Sequence, residues 1–448
     1  MAPVDKPVVE MPVAWTLEPP WREGAPGDAA PKGAWWQRFG DARLDTLEQQ
    51  AMARSPTLAA ASARLVQARA VAEATSAGLS PQVGLGGRAA RQRISANRPL
   101  ANYSSPNFST VQNDVTLSFS VSYEADLAGR VHASIAAARA SAEQAVADLE
   151  NTRLVLAAEL AADYFSLRAL DTELDVLTRS IALQRRALGF VDERHRGGAA
   201  SGLEVAQQQA LLDTTLTQVD LLRKQRAQFE HAIATLVGAP APGFSLAPEA
   251  LAVDVPRVPL GVPSDLLERR PDIASAERAM AAANAQVGVA RAAFFPSITL
   301  GPSAGVESRS LATLFDAPSV VWSLGVSATQ VLFDAGRIRA NVEAARAAHD
   351  AAAANYRRVV LTAMQEVEDG ITGLAALARA DAQAGAAVAS SRRVLELATG
   401  RYEGGASTYL DVISAQQGVL ATERQLAQLQ GQQLLTAVFL VKALGGGW

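Results

Sequence analysis

Cysteine is absent from the 448 residues, which excludes a disulfide framework and any thiolate-bound metal. No run of about 18 uncharged apolar residues occurs, so no transmembrane helix is expected. Aromatic residues make up only 5% of the chain, and alanine supplies much of the 49% apolar content. A chain that buries alanine rather than phenylalanine packs helices closely, as coiled coils do. Neither sign of charge dominates: 41 Lys and Arg face 45 Asp and Glu, a net charge of −4, with no basic block to hold nucleic acid. No P-loop, HExxH, CxxC or GxSxG motif is present, and the four histidines (His132, His195, His231, His349) lack ligand spacing. The expectation is no enzyme, no metal and no cofactor. Gly84-Leu-Gly86-Gly87 has a phosphate-loop look but falls inside an expected strand. The residues after Met1 are polar and Pro-containing, without an apolar leader, so an exported protein is expected here in mature or recombinant form.

What the chain does have is a duplication. Ala128-Gly129-Arg130 recurs as Ala335-Gly336-Arg337, an offset of 336 − 129 = 207. At that offset Arg194, Gly197, Gly198, Ala199, Leu203, Val205 and Gly238 match Arg401, Gly404, Gly405, Ala406, Leu410, Val412 and Gly445. Pro56, Pro81, Leu85 and Gly86 match Pro271, Pro296, Leu300 and Gly301 at 271 − 56 = 215. Chance likeness between Ala-rich helices explains Ala-on-Ala matches but not paired Gly and Pro. The length change between the offsets falls between Pro81 and Gly129, where loops tolerate it.

Each half reads as a helix, two strands, a very long helix, a Gly-rich turn and a return helix. The expected organisation is an N-terminal segment at 1–55 and a first repeat at 56–238. Within it lie strands at about 81–126, a long helix at 130–196 and a return helix at 203–237. A Pro-rich connector follows at 239–270, marked by Pro240, Pro242, Pro248, Pro256, Pro259 and Pro263. The second repeat, 271–445, has strands at about 296–332, a long helix at 337–401 and a return helix at 409–444. Connector and N-terminal segment together are expected to form an equatorial collar.

Val115 to Asp126 alternates apolar and polar residues, as do Trp322, Leu324, Val326 and Ala328 with Ser323, Gly325, Ser327 and Thr329. Period two marks strands with one apolar and one polar face. The small hydroxylic polar faces suit a water-filled lumen, and Tyr123 and Trp322 suit an interfacial belt. Lipid cannot satisfy open sheet edges, and four strands cannot close a barrel. Two copies would give eight strands with a filled interior; three would give twelve, so a trimer is the smallest assembly expected to conduct.

From Arg130 to Arg196 there is no proline, and Gly189 is the only interior glycine. Those 67 residues make about 100 Å of helix at about 1.5 Å each. Leu160, Leu167, Leu174, Ile181 and Leu188 recur every seven residues, aligned in the other half with Val367, Leu374, Asp381, Val388 and Leu395. That repeat implies left-handed supercoiling, with Asp381 an unexplained break.

In the two turns, Arg194 to Val205 and Arg401 to Val412, Gly198 and Gly405 suit helix stops and Ser201 and Thr408 suit caps. Glu204 and Asp411 occupy one repeat position at the start of each return helix. There they are either caps or rings of negative charge that select cations at the closed end of a tube.

Several stretches then carry a resemblance: Trp35-Trp36-Gln-Arg-Phe-Gly-Asp41-Ala-Arg-Leu44, Leu267-Glu-Arg-Arg-Pro-Asp-Ile273, Phe294-Phe-Pro-Ser297, Phe333-Asp-Ala-Gly-Arg337, Tyr402 to Val412, and Ala443-Leu-Gly-Gly-Gly-Trp448. In order along nearly the whole chain, they resemble the TolC-like outer-membrane efflux proteins, in their OprM-like lipoprotein branch. The resemblance implies a mixed α and β fold: a trimeric twelve-stranded β-barrel, four strands per chain, continued by a coiled-coil α-helical barrel with a mixed equatorial region. It implies an outer-membrane location with a large periplasmic part and a homotrimer in outer-membrane lipid. Its partners would be a periplasmic adaptor and an inner-membrane pump of the resistance–nodulation–division (RND) type, moving small toxic compounds or drugs. It places Glu204, Tyr402 and Asp411 at the periplasmic gate. Ser407 stands where some members have a locking arginine and Ser414 where some have a second aspartate, which makes Arg194 and Arg401 the substitutes. The hairpin tips, Gly197, Gly198, Leu203, Gly404, Gly405 and Leu410, are where the resemblance implies the adaptor docks. The branch's lipid-bearing cysteine is absent. A type I secretion duct of the same fold and a structural coiled-coil scaffold are the alternatives.

Overall fold

The computed structural model describes residues 33–97, 110–256 and 269–446. Most of the expected N-terminal segment, Pro259, Pro263, Leu267, Glu268, Gly447 and Trp448 lie outside these residues. The chain forms two compact units, each assembled from both repeats. Of the described residues, the first takes 65–97, 110–145 and 276–356; the second takes 33–64, 146–256, 269–275 and 357–446.

The first unit carries the sheet. After α2 (Pro56–Ser76) come β1 (Gln82–Ile94) and β2 (Thr110–Ala125). After α5 (Pro271–Ala292) come β3 (Ser297–Leu300), β4 (Ser303–Ser308), β5 (Val320–Ser323) and β6 (Val326–Thr329). The expected second pair of strands is therefore broken, but its register is not. Tyr123 opposes Leu300 and Val115 opposes Ser308, so β3 and β4 continue one line along β2. The interruption falls at Gly301 and Pro302, where proline has no N–H to donate to the ladder. Pro302 still accepts there, from the Val121 N–H at 2.9 Å. β5 and β6 continue one another in the same way, with Gly301 donating to Gly325 at 2.9 Å. The result is four antiparallel lines in the order β1, β2, β3/β4, β5/β6.

Register sorts the side chains by face. Val83 opposes Val121 and Leu85 opposes Phe119; Phe119 opposes Ala304, which opposes Trp322; Tyr123 opposes Leu300, which opposes Val326. Alongside Val115 to Ala125 of β2 one face is thus apolar across all four lines, with Arg91, Arg93 and Asn113 on it only beyond Val115. It is exposed: Leu85 by 61%, Phe119 by 57%, Trp322 by 72% and Val326 by 74%. The other face carries Ser118, Ser120, Ser122, Thr299, Ser303, Ser323, Ser327 and Thr329, with Arg88, Asp114 and Glu307. Along β2 the apolar stripe runs from Val115 to Ala125, about 34 Å of strand at about 3.4 Å per residue. Tilted by about 40°, it spans about 26 Å, the height of the apolar band of an outer-membrane barrel. No helix among the described residues is long and apolar enough to cross a membrane.

The second unit is helical. The long run is one helix, α3 (Arg130–Arg196), followed by α4 (Gly202–Leu236); the second repeat gives α6 (Arg337–Glu403) and α7 (Tyr409–Ala443). Within this unit the seven-residue stripe faces the core: Leu160, Leu167 and Ile181 are buried on α3, and Val367, Leu374 and Val388 on α6, while Leu174 and Leu188 are half-buried. Leu177, Ile181, Leu212, Val219, Leu222 and Leu420 form one cluster that knits α3, α4 and α7 together. Asp381 is half-buried, and its Oδ1 has no hydrogen-bond partner among the described residues.

The repeat is visible in the packing. Gly238 and Gly445, matched at offset 207, end the two return helices with φ of +73° and +85°. A Cβ on Gly238 would lie 2.6 Å from the carbonyl oxygen of Arg54, and one on Gly445 2.9 Å from that of Arg269. Arg54 and Arg269 are themselves 215 apart, so both offsets meet at one close contact that only glycine permits.

Two short segments dock on one stretch of α3. Asp41 caps α1 (Ala42–Arg54) by accepting from the Arg43 and Leu44 N–H groups, and its Oδ2 accepts from the Tyr164 hydroxyl at 2.7 Å. Phe39 stacks near Phe165, with ring centroids 4.9 Å apart. The connector is strapped on beside them. Arg168 donates to the Ala247 carbonyl at 2.8 Å, the Glu249 N–H to Asp171 at 3.1 Å, and the Leu251 N–H to Thr172 at 2.8 Å. Arg226 completes the strap with bonds of 2.6 Å to both Asp171 and the Leu246 carbonyl.

Candidate functional site

The two helical hairpins end in turns built alike. α3 stops when Gly198 adopts φ +75°, with the Gly198 N–H donating to His195 and that of Ala199 donating to Arg194. α6 stops at Gly405, φ +73°, with Gly405 donating to Tyr402 and Ala406 to Arg401. This is the left-handed helix stop that satisfies the last carbonyls. Each arginine also hooks its own turn: Arg194 donates to the Ala199 carbonyl at 3.4 Å and Arg401 to that of Ala406 at 3.5 Å. Ser201 caps α4, its hydroxyl accepting from the Glu204 N–H at 3.4 Å. Thr408 and Asp411 form a capping box on α7, with the Thr408 N–H donating to Asp411 Oδ2 at 3.2 Å. Leu203 and Leu410, on the first turns of the return helices, are 67% and 55% exposed.

The hairpins are joined just inside these turns. The Tyr402 hydroxyl donates to Glu204 Oε2 at 2.8 Å, and the Arg194 guanidinium lies 5.0 Å from the centroid of the same ring. Tyr409 packs against Tyr402 at 5.0 Å between ring centroids and donates to Gln208 Oε1 at 2.8 Å, a buried bond. Gln208 in turn donates to the Gln184 carbonyl at 3.2 Å. Val191, Leu211, Val412 and Ile413 surround the two tyrosines and keep water away. Burial, then the bond to Glu204 and its charge, raise the Tyr402 pKa, while Arg194 opposes them. Burial, then the charges of Tyr402 and Glu204, push Tyr409 up to about 12. Both hydroxyls therefore remain donors at neutral pH. Further along, Arg424 of α7 donates to the buried Glu173 of α3 at 2.8 Å and to Gln218 of α4 at 2.9 Å.

Of the residues singled out in the sequence, the structure brings Glu204, Tyr402 and Arg194 into one cluster. Asp411 and Arg401 stay outside it, exposed and bonded only to their own turn. Tyr409, Gln208 and the Glu173–Arg424 pair were missed. Their signal was weak, because a tyrosine or arginine at helical spacing reads as ordinary packing or a solvated face. Among the described residues no group of three or more His, Cys, Asp or Glu residues can hold a metal ion.

Comparison with known proteins follows the same outline. The profile of the outer membrane efflux protein family matches residues 47–239 and 262–446, once on each repeat. The pyoverdine export outer membrane protein OpmQ of Pseudomonas putida is 36% identical over 424 residues, covering 94% of this chain and 89% of the relative. Outer membrane protein OprJ of Pseudomonas aeruginosa is 31% identical over 461 residues, covering 100% and 93%. The crystal structure of the Campylobacter jejuni CmeC outer membrane channel superposes with a TM-score of 0.90 at 25% identity, covering 99% and 95% of the two chains.

Proposed function

The chain belongs to the outer membrane efflux protein family, and on that premise we propose that three copies close a single exit duct whose hairpin tips are its gate. It is an outer-membrane channel component of an efflux pump. The observation that carries the finer reading is the sheet: apolar and exposed on one face, hydroxylic on the other, and open at both edges in one chain. Backbone groups at an open edge have no partner in lipid, so β1 of one copy must pair with β5/β6 of the next. Three copies give twelve strands, wide enough for a water-filled lumen.

In this reading the Glu204–Tyr402–Arg194 cluster holds the two hairpins together, and Glu204 with Asp411 supplies negative charge at the aperture. The exposed Leu203 and Leu410 and the glycine turns beside them, Gly197, Gly198, Gly404 and Gly405, form the seat for a periplasmic adaptor. The adaptor connects the duct to an inner-membrane pump of the RND type. The cargo is a small toxic or exported compound; the names of the relatives include pyoverdine export and toluene efflux. The chain supplies a passage and no catalytic chemistry.

The test is conductance of the detergent-extracted protein in a planar bilayer, with its mass determined in parallel. Discrete openings from a particle of three chain masses are expected. A non-conducting particle, or a water-soluble monomer needing no detergent, would overturn the duct.

A further inference from the structure

We infer that His195 of one copy docks on Asp411 and Arg401 of the neighbouring copy, repeating between copies the contact that Tyr402 makes with Glu204 and Arg194 within one. The inference rests on the proposed ring of copies and adds the pair that joins them at the tip.

The argument comes from the duplication. At offset 207, Arg194 matches Arg401, Glu204 matches Asp411, and Tyr402 is the counterpart of His195. The three residues of the internal cluster therefore have three repeat counterparts at the same places on the other hairpin. Within the chain, the first hairpin supplies Glu204 and Arg194, and the second inserts Tyr402 between them. In a closed ring the second hairpin of each copy meets the first hairpin of the next. It then supplies Asp411 and Arg401 in the same geometry, and the inserted side chain is the neighbour's His195.

The exposure of the two sets fits this. Tyr402 is buried, and Glu204 and Arg194 are half-buried; His195, Asp411 and Arg401 are all exposed in the single chain. His195 is also held in place for the contact. Its Nδ1 donates to the Ala200 carbonyl at 2.9 Å, which fixes the ring against the turn and leaves Nε2 to accept from the Arg401 guanidinium in the neutral ring or to donate to Asp411 in the imidazolium. An imidazole fits a site that takes a phenol, since both are flat rings with a polar atom at the far end: neutral Nε2 accepts from the guanidinium, and a protonated Nε2 donates to the carboxylate.

The two junctions differ lower down. The Glu173–Arg424 pair that staples the hairpins within a chain has Ala380 and Thr217 as its repeat counterparts, which cannot form an ion pair. The staple found within a chain is therefore not repeated between copies.

Absence of native cysteine makes a clean test possible. Two full-length variants are compared in the assembled state with a short bis-maleimide: His195→Cys with Asp411→Cys, and Glu204→Cys with Tyr402→Cys. The first pair is expected to give covalent dimers and trimers on a denaturing gel, and the second only internally linked monomers. Co-expression of His195→Cys and Asp411→Cys on separate chains should again give dimers. A His195/Asp411 variant that keeps the trimer mass yet yields no dimers, while the Glu204/Tyr402 pair reacts within monomers, would overturn the inference and leave the duct intact. If that variant does not assemble, His195→Cys with Arg401→Cys decides by the same criterion. A native chain that never forms trimers would instead defeat the proposed function.

Discussion

The Tyr402 hydroxyl donates to Glu204 Oε2 at 2.8 Å, linking α6 to α4 across 198 residues of sequence. The donor is buried and the acceptor charged, so the bond belongs to the class worth about 1.5–3 kcal/mol. Tyr402→Phe keeps the ring under Arg194 and removes only the hydroxyl. The expected result is more frequent or larger openings in single-channel recordings, with the assembly still trimeric. Conductance identical to that of the parent would separate this bond from the gate.

Charge at the aperture is a separate matter from closure. Glu204→Gln with Asp411→Asn removes two carboxylates per copy while keeping shape and capping acceptors. Reversal-potential measurements across a salt gradient are expected to show reduced cation preference. An unaltered preference would assign both residues to helix capping alone.

Arg424 and Glu173 test the staple between the hairpins. Glu173 is only 4% exposed, and Arg424, Gln428 and little else satisfy it. Arg424→Met strands that carboxylate, a cost of about 3 kcal/mol or more, whereas Arg424→Met with Glu173→Met removes both partners and should recover most of it. The readout is the temperature at which the detergent-solubilised assembly dissociates. A double variant as unstable as the single one would show that packing, not the ion pair, is at stake.

The parts of the fold that local chemistry dictates were readable from sequence. The strict alternation from Val115 to Asp126 could only be a two-faced strand, and the run between Arg130 and Arg196 had nothing to stop a helix. The breaks within β3/β4 and β5/β6 were not anticipated, because Pro302 removes one ladder N–H without shifting register, and Gly301 still donates to Gly325 across the gap. At the tips, sequence marked Glu204, Tyr402, Arg194, Arg401 and Asp411 as residues of interest. It could not show that only the first three meet within one chain, since pairing across 198 residues is a tertiary fact. Tyr409 and Gln208 went unnoticed because a helix core needs aromatic and amide side chains for reasons unrelated to a gate. The units also cut across the repeats, since each long helix serves both units.

Glu48 gives the chain a pH dependence. It has no exposure, and neither carboxyl oxygen has a hydrogen-bond partner. Burial first, and the charge of Asp45 second, push its pKa from 4.5 up to about 9. Between those values the folded chain binds a proton that the unfolded chain releases, so stability from this group is full below about pH 4.5 and falls as pH rises towards 9. The slope is about 1.4 kcal/mol per pH unit. Glu48→Gln is expected to raise the unfolding temperature at pH 8, leave it nearly unchanged at pH 5, and flatten the profile between. A parallel profile displaced by a constant amount would mean that Glu48 is not the titrating group.

The faces of the sheet make the sharpest test of the membrane reading. Val326 and Ser327 are adjacent in β6; Val326 opposes Leu300 on the exposed apolar face, while Ser327 opposes Thr299 on the hydroxylic one. If the apolar face meets lipid, Val326→Arg places a guanidinium in hydrocarbon at a cost of up to about 2–4 kcal/mol per copy, depending on depth. In a closed barrel of three copies that cost is multiplied, enough to block assembly. Ser327→Arg puts the same group into a watery lumen, where it should assemble and alter conductance or ion preference instead. Assembly is scored as heat-resistant oligomer in outer-membrane fractions. Equal tolerance of the two arginines would place water on both faces and remove the barrel; loss of Ser327→Arg with survival of Val326→Arg would invert the assignment of inside and outside.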